Sequence, residues 1–529
     1  MDIDCISYQK SGYFSKLIID YLDEKPTLKS LYHHSPKLEN FLLQLEKKQQ
    51  NFPFEKREVL VRSLQKQYAG LSTSELTKNN IQLLKNDTTF TITTGHQLNL
   101  FSGPLYFLYK IISTINLCRQ LKSAYSKYNF VPIYWMATED HDFEEINHFV
   151  FKGKKISWQK ETSGPVGRLS TNGLEEIFKV FEKELGIGKN AEYLKKIFQK
   201  TYLEYDNLAD ATRFLANELF QNEGLVIIDG DDVDLKKIFA PHIEKELTEQ
   251  ISFQKVNETS KLLEGYNIQV NPREINLFYI QDNLRERIVF ENNTFAVNNT
   301  EIRFTKDEIL AELENHPEKF SPNVILRPLY QEVILPNLCY IGGGGEIAYW
   351  LELKSNFDAN AVPFPILLVR NSVLLATKKQ MEKAQKLNLN IADLFLKQSE
   401  LIDNKTKEIS NFNIDFSVQK EFLKQQFENL YSIAEQTDIS FKNAVKAQEV
   451  KQIKGLDNLE KRLLKAEKRK LADQLQRIKQ IQDELFPNQG LQERKNNFSE
   501  FYLEFGEDLI QRLLDELKPL EQEFKVVVF

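Results

Sequence analysis

Residues 89–121 read TFTITTGHQLNLFSGPLYFLYKIISTINLCRQL, and this stretch decides the fold class. TFTITT is a β-branched run that stops at Gly95, and 103–121 then reads as one long apolar helix. The same order recurs along the chain. FVPIYWMAT (130–138) is a second fully apolar strand and GLVIIDGDD (224–232) a third. CYIGGGGEIAYWLEL (339–353) reads as strand, glycine turn and helix, and FPILLVR (364–370) as a further buried strand. Continuous apolar strands alternating with helices indicate an α/β protein with a parallel sheet covered on both faces. Ligands of such sheets sit beyond the carboxyl ends of the strands. GHQ (95–97), EDHD (139–142) and GGGGE (342–346) each fall where a strand has just ended.

Working outward, residues 1–85 read as an N-terminal helical part of the core, and 86–375 as the sheet domain with insertions at about 143–222 and 265–320. The first insertion is polar and helical. The second alternates short strand-like pieces (NLFYIQ, RERIVF, TFAV, EIRF) with Asn-rich turns. From 376 to 490 strand signals vanish. Phe416, Leu423, Phe427, Leu430 and Ala434 follow a three-and-four spacing, and TDIS (437–440) is a break with Asp438 or Ser440 as N-cap. Leu464, Leu471, Ile478 and Leu485 then recur every seven residues up to Pro487. Two long helices around a short break predict an antiparallel coiled-coil hairpin. Its heptad stripe, too long to hide against a core, predicts a homodimer through Leu471 and Ile478. Residues 491–529 form a C-terminal helix and an apolar tail, KVVVF, returning to the core as an edge strand or against its surface.

Composition excludes several classes. The 529 residues carry 69 Lys and Arg against 76 Asp and Glu, a net charge of −7, which argues against nucleic acid as a partner. Three scattered cysteines form neither a disulfide framework nor a Cys-based zinc site. The N-terminus lacks an apolar signal core, and no stretch reaches the ~20 apolar residues of a membrane span. The expectation is a cytoplasmic protein with no membrane partner.

Three motifs carry chemistry. Glu139, Asp140, His141 and Asp142 stand beside an apolar strand, with Glu144, Glu145 and His148 following. They suit acid/base work and the holding of a substrate amine, or a divalent metal, or the capping of a helix start. Thr94, Gly95, His96 and Gln97 precede Gly103-Pro104-Leu105-Tyr106, a helix start with N–H groups available to an anion. Gly342 to Gly345, before Glu346, read as a backbone nest for phosphate or carboxylate, or as a plain tight turn. Arg327 and Gln331 in one segment, and Arg370, Asn371 and Ser372 in another, supply cations and hydrogen-bonding groups for an anionic ligand.

Taken together, TTGHQLNLFSGPLYFLYK, PIYWMATEDHDFEEINH, LRPLYQEVILP and GGGGEIAYW, in that order, resemble the bacillithiol-synthesis cysteine ligase family, BshC. The resemblance implies a Rossmann-like core similar to class I aminoacyl-tRNA synthetases and nucleotidyltransferases, with connecting insertions and a dimerising coiled coil. It implies the addition of cysteine to glucosaminyl-malate, forming the amide of bacillithiol, with ATP or another nucleoside triphosphate activating the cysteine carboxylate. His96, Glu139, Asp140, His141 and Asp142 are then the expected catalytic residues. The expected nucleotide- and substrate-binding set is Thr94, Gly95, Gln97, Gly103, Tyr106 and Lys110 from the first motif. Arg327 and Gln331, then Gly343, Gly344, Gly345, Glu346, Tyr349 and Trp350, and finally Arg370, Asn371 and Ser372 complete it. No residue is assigned as a metal ligand; magnesium is the candidate ion, its requirement open. The competing expectations are a metal-dependent hydrolase or transferase centred on EDHD, and a non-enzymatic coiled-coil binder with a ligand-sensing sheet.

Overall fold

The computed structural model describes residues 3–529. Five strands form a single parallel sheet: β1 (Thr89–His96), β2 (Asn129–Met136), β3 (Val226–Asp229), β4 (Asn337–Gly342) and β5 (Ile366–Val369). Their spatial order is β5-β4-β1-β2-β3. β1 pairs with β2 from Thr89↔Asn129 to His96↔Met136, and with β4 through a register shift between Asn337 and Cys339. The chain leaves β1 toward β2 on one side and returns to β4 on the other. The strand order therefore reverses between β1 and β4, the place where such sheets open a crevice.

Three of the four threonines in TFTITT are satisfied inside the sheet. Thr91 and Thr93 donate to Asn337 Oδ1 at 3.2 and 2.9 Å, and Thr94 donates to the Ile341 carbonyl at 2.8 Å. These hydroxyls cross-link β1 to β4, so three of the four buried threonines keep their hydrogen bonds, while the Thr89 hydroxyl has no partner among the described residues. Helix α1 (Tyr106–Ala124) covers one face. The N-terminal helices Asn40–Asn51 and Phe54–Gln67 also pack in, where Phe41 and Leu45 join Phe90, Ile92, Ile341 and Leu368 in one core cluster. Buried Lys48 pairs with Glu332 at 3.1 Å, and Arg57 donates to the Leu84 and Thr89 carbonyls. A short strand at Ile3–Ser7, not expected from the sequence, flanks the tail strand Glu523–Val528. The tail is thus the middle strand of a three-stranded sheet rather than an edge.

The first insertion carries three long helices and a short one, as its polarity suggests, and also a hairpin of His148–Phe151 with Lys154–Ser157. Four-residue strands leave too little alternation to be read. The second insertion is an antiparallel sheet of Leu277–Gln281, Leu284–Glu291, Thr294–Val297, Arg303–Phe304 and Phe320–Pro322. The sheet, both insertions and residues 492–527 belong to one compact unit. No described helix is long and apolar enough to cross a membrane.

Residues 375–491 belong to the second unit. Here α3 (Ser417–Ala434) and α4 (Ile439–Lys470) form the expected hairpin, and Asp438 caps α4 by accepting from Phe441 N at 2.9 Å. Phe427, Ala434 and Val445 make its seam. The heptad stripe behaves otherwise than expected. The helix breaks at Leu471, and α5 (Ala472–Leu485) follows. Leu475, Ile478, Ile481 and Leu485 are buried within this unit, where α5 meets the helix Gln398–Ile409 and Gln482 donates to the Leu394 and Leu396 carbonyls. A seven-residue repeat marks one apolar face but not what covers it. The exposed apolar side chains lie instead on α3 and α4, at Val418, Phe422, Ile433, Ile439 and Leu459.

Candidate active site

The carboxyl ends of β1, β2 and β4 open into one cleft of about 1010 Å³. Its floor is an ion pair that joins the two sides of the strand-order reversal. Lys110, buried on α1, donates to the Gly95 carbonyl at the end of β1 and pairs with Glu346 Oε2 at 2.7 Å. Glu346 opens helix α2 (Gly344–Leu351), and its carboxylate also accepts from Gly343 N and Tyr340 Oη, both at 2.8 Å. Burial pulls the Lys110 ammonium down, partly offset by Glu346. Burial pushes Glu346 up, but Lys110, Gly343 N and Tyr340 outweigh it and hold the carboxyl below its ordinary range. The glycine at 95 has a steric reason: a Cβ there would lie 3.3 Å from Tyr340 Oη.

His96 lines the cleft but is largely buried, with Nε2 3.3 Å from the Ser102 carbonyl. Because a carbonyl only accepts, Nε2 carries the proton. Burial, then the charge of Lys110, pushes its pKa down to about 3. The ring is a neutral hydrogen-bonding group, far from the pKa that suits proton transfer at neutral pH.

At the end of β2 the four acidic-cluster residues diverge. Glu139 turns inward to buried Lys236, 2.7 Å away. Asp140 faces the cleft, where Oδ2 accepts from Gln97 Nε2 at 3.1 Å and Oδ1 from His141 N at 2.8 Å. His141 Nδ1 receives Arg285 Nη1 at 2.7 Å, and burial followed by Arg285 lowers its pKa. Asp142 caps the short helix Phe143–Ile146 by accepting from Glu145 N at 3.2 Å. His148 turns to Asn147 Oδ1 at 3.0 Å. Among the described residues no group of three His, Cys, Asp or Glu side chains gathers as metal ligands. The divergence of these side chains gives the metal-centre expectation no shared focus.

The glycine run differs from a nest. None of Gly342 to Gly345 has a positive φ, whereas a nest needs alternating hands. The segment is a plain passage from strand to helix. Gly343, in the N-cap position, has no side chain to cap the first N–H groups of α2, and Gly343 and Gly345 border the cleft. An uncapped helix start of this kind favours negative charge. Gly344 faces Ile18 and Phe14 instead.

Several other expected residues also serve elsewhere. Gly103 does not begin α1: its N–H goes to the Leu100 carbonyl, its carbonyl accepts from Asn497, and the Leu105 N–H is taken by the Asn496 carbonyl. The Gly103 and Leu105 donors are therefore not available to an anion. Arg370 borders the cleft but pairs in bidentate fashion with buried Glu493, at 2.7 and 3.1 Å. Asn371 binds Ser113 and the Lys518 carbonyl, and Ser372 lies against Glu493. Thr94, Gln331 and Trp350 are buried behind the cleft wall. Arg327 is differently placed: among the described residues it has no ion pair, and it contacts Gln331 and Tyr349 and lies over Trp135, Tyr340 and Trp350 at 5.7–6.0 Å. Tyr106 and Tyr349 complete that wall.

Sequence reasoning missed the cations that the second insertion and the C-terminal segment contribute: Arg273, Arg285, Arg287 and Arg494. With Lys110, Arg327 and Arg370 they make seven cationic side chains around the cleft against the carboxylates of Glu139, Asp140 and Glu346, so the site suits an anionic ligand that also bears a cation. A signal existed for two of them. In LRERIVF (284–290) strand alternation puts Arg285 and Arg287 on one face. Lys236 had no such signal.

Two family models match the chain. "Bacillithiol biosynthesis BshC, N-terminal Rossmann-like domain" covers residues 1–371, and "Bacillithiol biosynthesis BshC, C-terminal coiled-coil domain" covers 373–529. Among similar curated proteins, "Putative cysteine ligase BshC" of Flavobacterium johnsoniae is 66% identical over 527 residues, covering 100% of both chains. The proteins of the same description from Flavobacterium psychrophilum and Christiangramia forsetii are 64% and 58% identical, each covering 100% of this chain and 99% of its own. A solved structure titled "putative arginyl t-RNA synthetase" from Campylobacter jejuni aligns with 84% of this chain and 95% of its own, at 12% identity and a TM-score of 0.21.

Proposed function

The chain belongs to the bacillithiol-biosynthesis BshC family, and from that premise we propose that it is the ligase that joins cysteine to glucosaminyl-malate. A carboxylate is a poor electrophile, so the reaction needs activation by a nucleoside triphosphate. A cysteine carboxylate oxygen attacks phosphorus and displaces a phosphate oxygen, giving a mixed anhydride. The sugar amine then attacks the acyl carbon, the phosphate oxygen leaves with its electron pair, and the amine gives up a proton. Any divalent ion needed enters on the triphosphate, as is usual for magnesium.

The observation that carries this reading is the polarity of the one cleft. Asp140 offers on one side a carboxylate held by Gln97 and the His141 N–H but by no Lys or Arg among the described residues, for an ammonium or the proton of the attacking amine. The uncapped start of α2 and Arg327 offer positive ends on another, for phosphate or carboxylate. Arg327 suits the malate carboxylates better than Arg370, whose guanidinium is engaged by Glu493. The same reading makes the protein a cytoplasmic homodimer.

The test is direct. Purified protein with cysteine, glucosaminyl-malate and ATP should release bacillithiol, read by mass spectrometry after thiol labelling. The nucleotide product, AMP or ADP, identifies the phosphorus attacked. Absence of product with every nucleoside triphosphate would overturn the proposal.

A further inference from the structure

Helix α2 enters the cleft with half-buried Glu346 and ends at a fully buried carboxylate, Glu352. Among the described residues Glu352 has no ion pair. Its Oε1 accepts from the backbone N–H of Gln269 at 2.7 Å, and its Oε2 from that of Val270 at 3.3 Å. Burial pushes its pKa up to about 7, with the two amides pulling the other way. Enclosing a carboxylate for the sake of two loop amides is costly, and such an arrangement persists where the loop's position matters.

The loop in question has little else to hold it. Residues 267–273 have no regular secondary structure. On one side, Tyr266 is tied to Asp20 at 2.7 Å. On the other, Asn276 is fastened to Glu246, Ser252 and Asn323. Between them, among the described residues, the two bonds to Glu352 are the only hydrogen bonds joining 267–272 to the rest of the fold. This span forms part of the cleft wall through Gln269, Val270 and Asn271, and it leads into Arg273.

We propose that Glu352 is a positioning residue for the substrate cleft: it latches the 267–272 segment so that Asn271 and Arg273 stand in the wall facing an anionic ligand. This rests on the reading of the cleft as the ligase site. Glu352 itself touches no reacting atom. Helix α2 thereby sets two walls at once, its first turn through Glu346 and its end through the latch.

Two measurements on the full chain test it. Hydrogen exchange of the ligand-free protein, resolved to single amides, should show Gln269 and Val270 protected by about tenfold or more over Ile268 and Asn271. Glu352→Gln, which keeps the shape but cannot accept from both amides as an anion does, should remove that protection while exchange in β1 and β4 stays as in wild type. In the ligase assay it should raise KM for glucosaminyl-malate about tenfold with kcat changed less than about threefold. Wild-type amides at 269 and 270 exchanging as fast as their neighbours would overturn the latch, whether or not the variant folds. Lost protection with an unchanged KM would overturn its positioning role. Exchange needs no turnover, so an inactive wild type would count against the ligase reading while the latch is still judged on its amides.

Discussion

Arg285 Nη1 lies 2.7 Å from His141 Nδ1, across the gap between the second insertion and the end of β2. A guanidinium can only donate, so Nδ1 accepts and the single ring proton sits on Nε2. Arg285 is itself held over the Phe278 ring at 3.9 Å and against the Pro322 carbonyl. His141 is thus a neutral, oriented donor rather than a free base.

This fixes the first prediction. Burial and Arg285 both lower the His141 pKa, so the folded protein binds its proton less readily than the unfolded chain does. Stability from this group is therefore lost as pH falls below about 6.5, the ordinary histidine value. In Arg285→Met the ring keeps Asp140 at 3.7 Å and loses its cationic neighbour. Its titration, followed by NMR of the imidazole carbons, should move to higher pH. An unchanged titration would show that the contact is not made in solution.

Neighbouring carboxylates should separate by role. Asp140→Asn should lower ligase turnover a hundredfold or more with little change in Tm, since the carboxylate faces the cleft, is bonded only by Gln97 and the His141 N–H among the described residues, and pairs with no Lys or Arg there. Asp142→Asn keeps a good capping side chain for Phe143–Ile146 and should cost less than about 1 kcal/mol and little activity. Equal losses in the two variants would mean that the cluster acts as one structural unit.

What was legible in the sequence follows from the range of the forces involved. The five strands were legible because a doubly covered strand writes its burial into consecutive residues, as in FVPIYWM. Convergence of GHQ, EDHD and GGGGE followed from the parallel arrangement alone. The partners of each side chain were not legible. Arg370 looked like a free cation until Glu493 met it from 123 residues away, and Glu139 like a free acid until Lys236 did. The stripe from Leu464 to Leu485 has the spacing of a seam, yet its second half is core.

That last point redirects the test of self-association. Ile478 is fully buried, so Ile478→Lys should unfold residues 375–491 rather than dissociate a dimer. The side chains available to a second copy are Phe422, 61% exposed on α3, and Leu459, 53% exposed on α4. They border one shallow apolar groove with Leu423 and Leu456. Phe422→Lys with Leu459→Lys should give monomers in sedimentation at an unchanged helical signal. A persistent dimer would place the interface elsewhere.

Lys236 offers the most exacting test, because two buried carboxylates depend on it. It is 1% exposed and bridges Glu139 at 2.7 Å and Asp231 at 3.2 Å, while Arg168 holds the other side of Asp231. Asp229, beside Asp231, is pushed up to about 6 by burial and by that neighbour, whereas Asp231 is pushed up by burial but held low overall by Lys236 and Arg168. Lys236→Met fills the same space without the charge and leaves two buried carboxylates short of a partner. Removing one member of such a set costs about 3–5 kcal/mol. Because Asp231 binds its proton less readily folded than unfolded, this contribution is present above about pH 4, the ordinary aspartate value, and is lost as pH falls through the depressed one. Urea unfolding should therefore show the full deficit at pH 7 and a smaller one at about pH 3, below the ordinary aspartate value. A deficit below about 1 kcal/mol at pH 7, or one that grows on acidification, would mean that Lys236 does not hold Glu139 and Asp231 as charges.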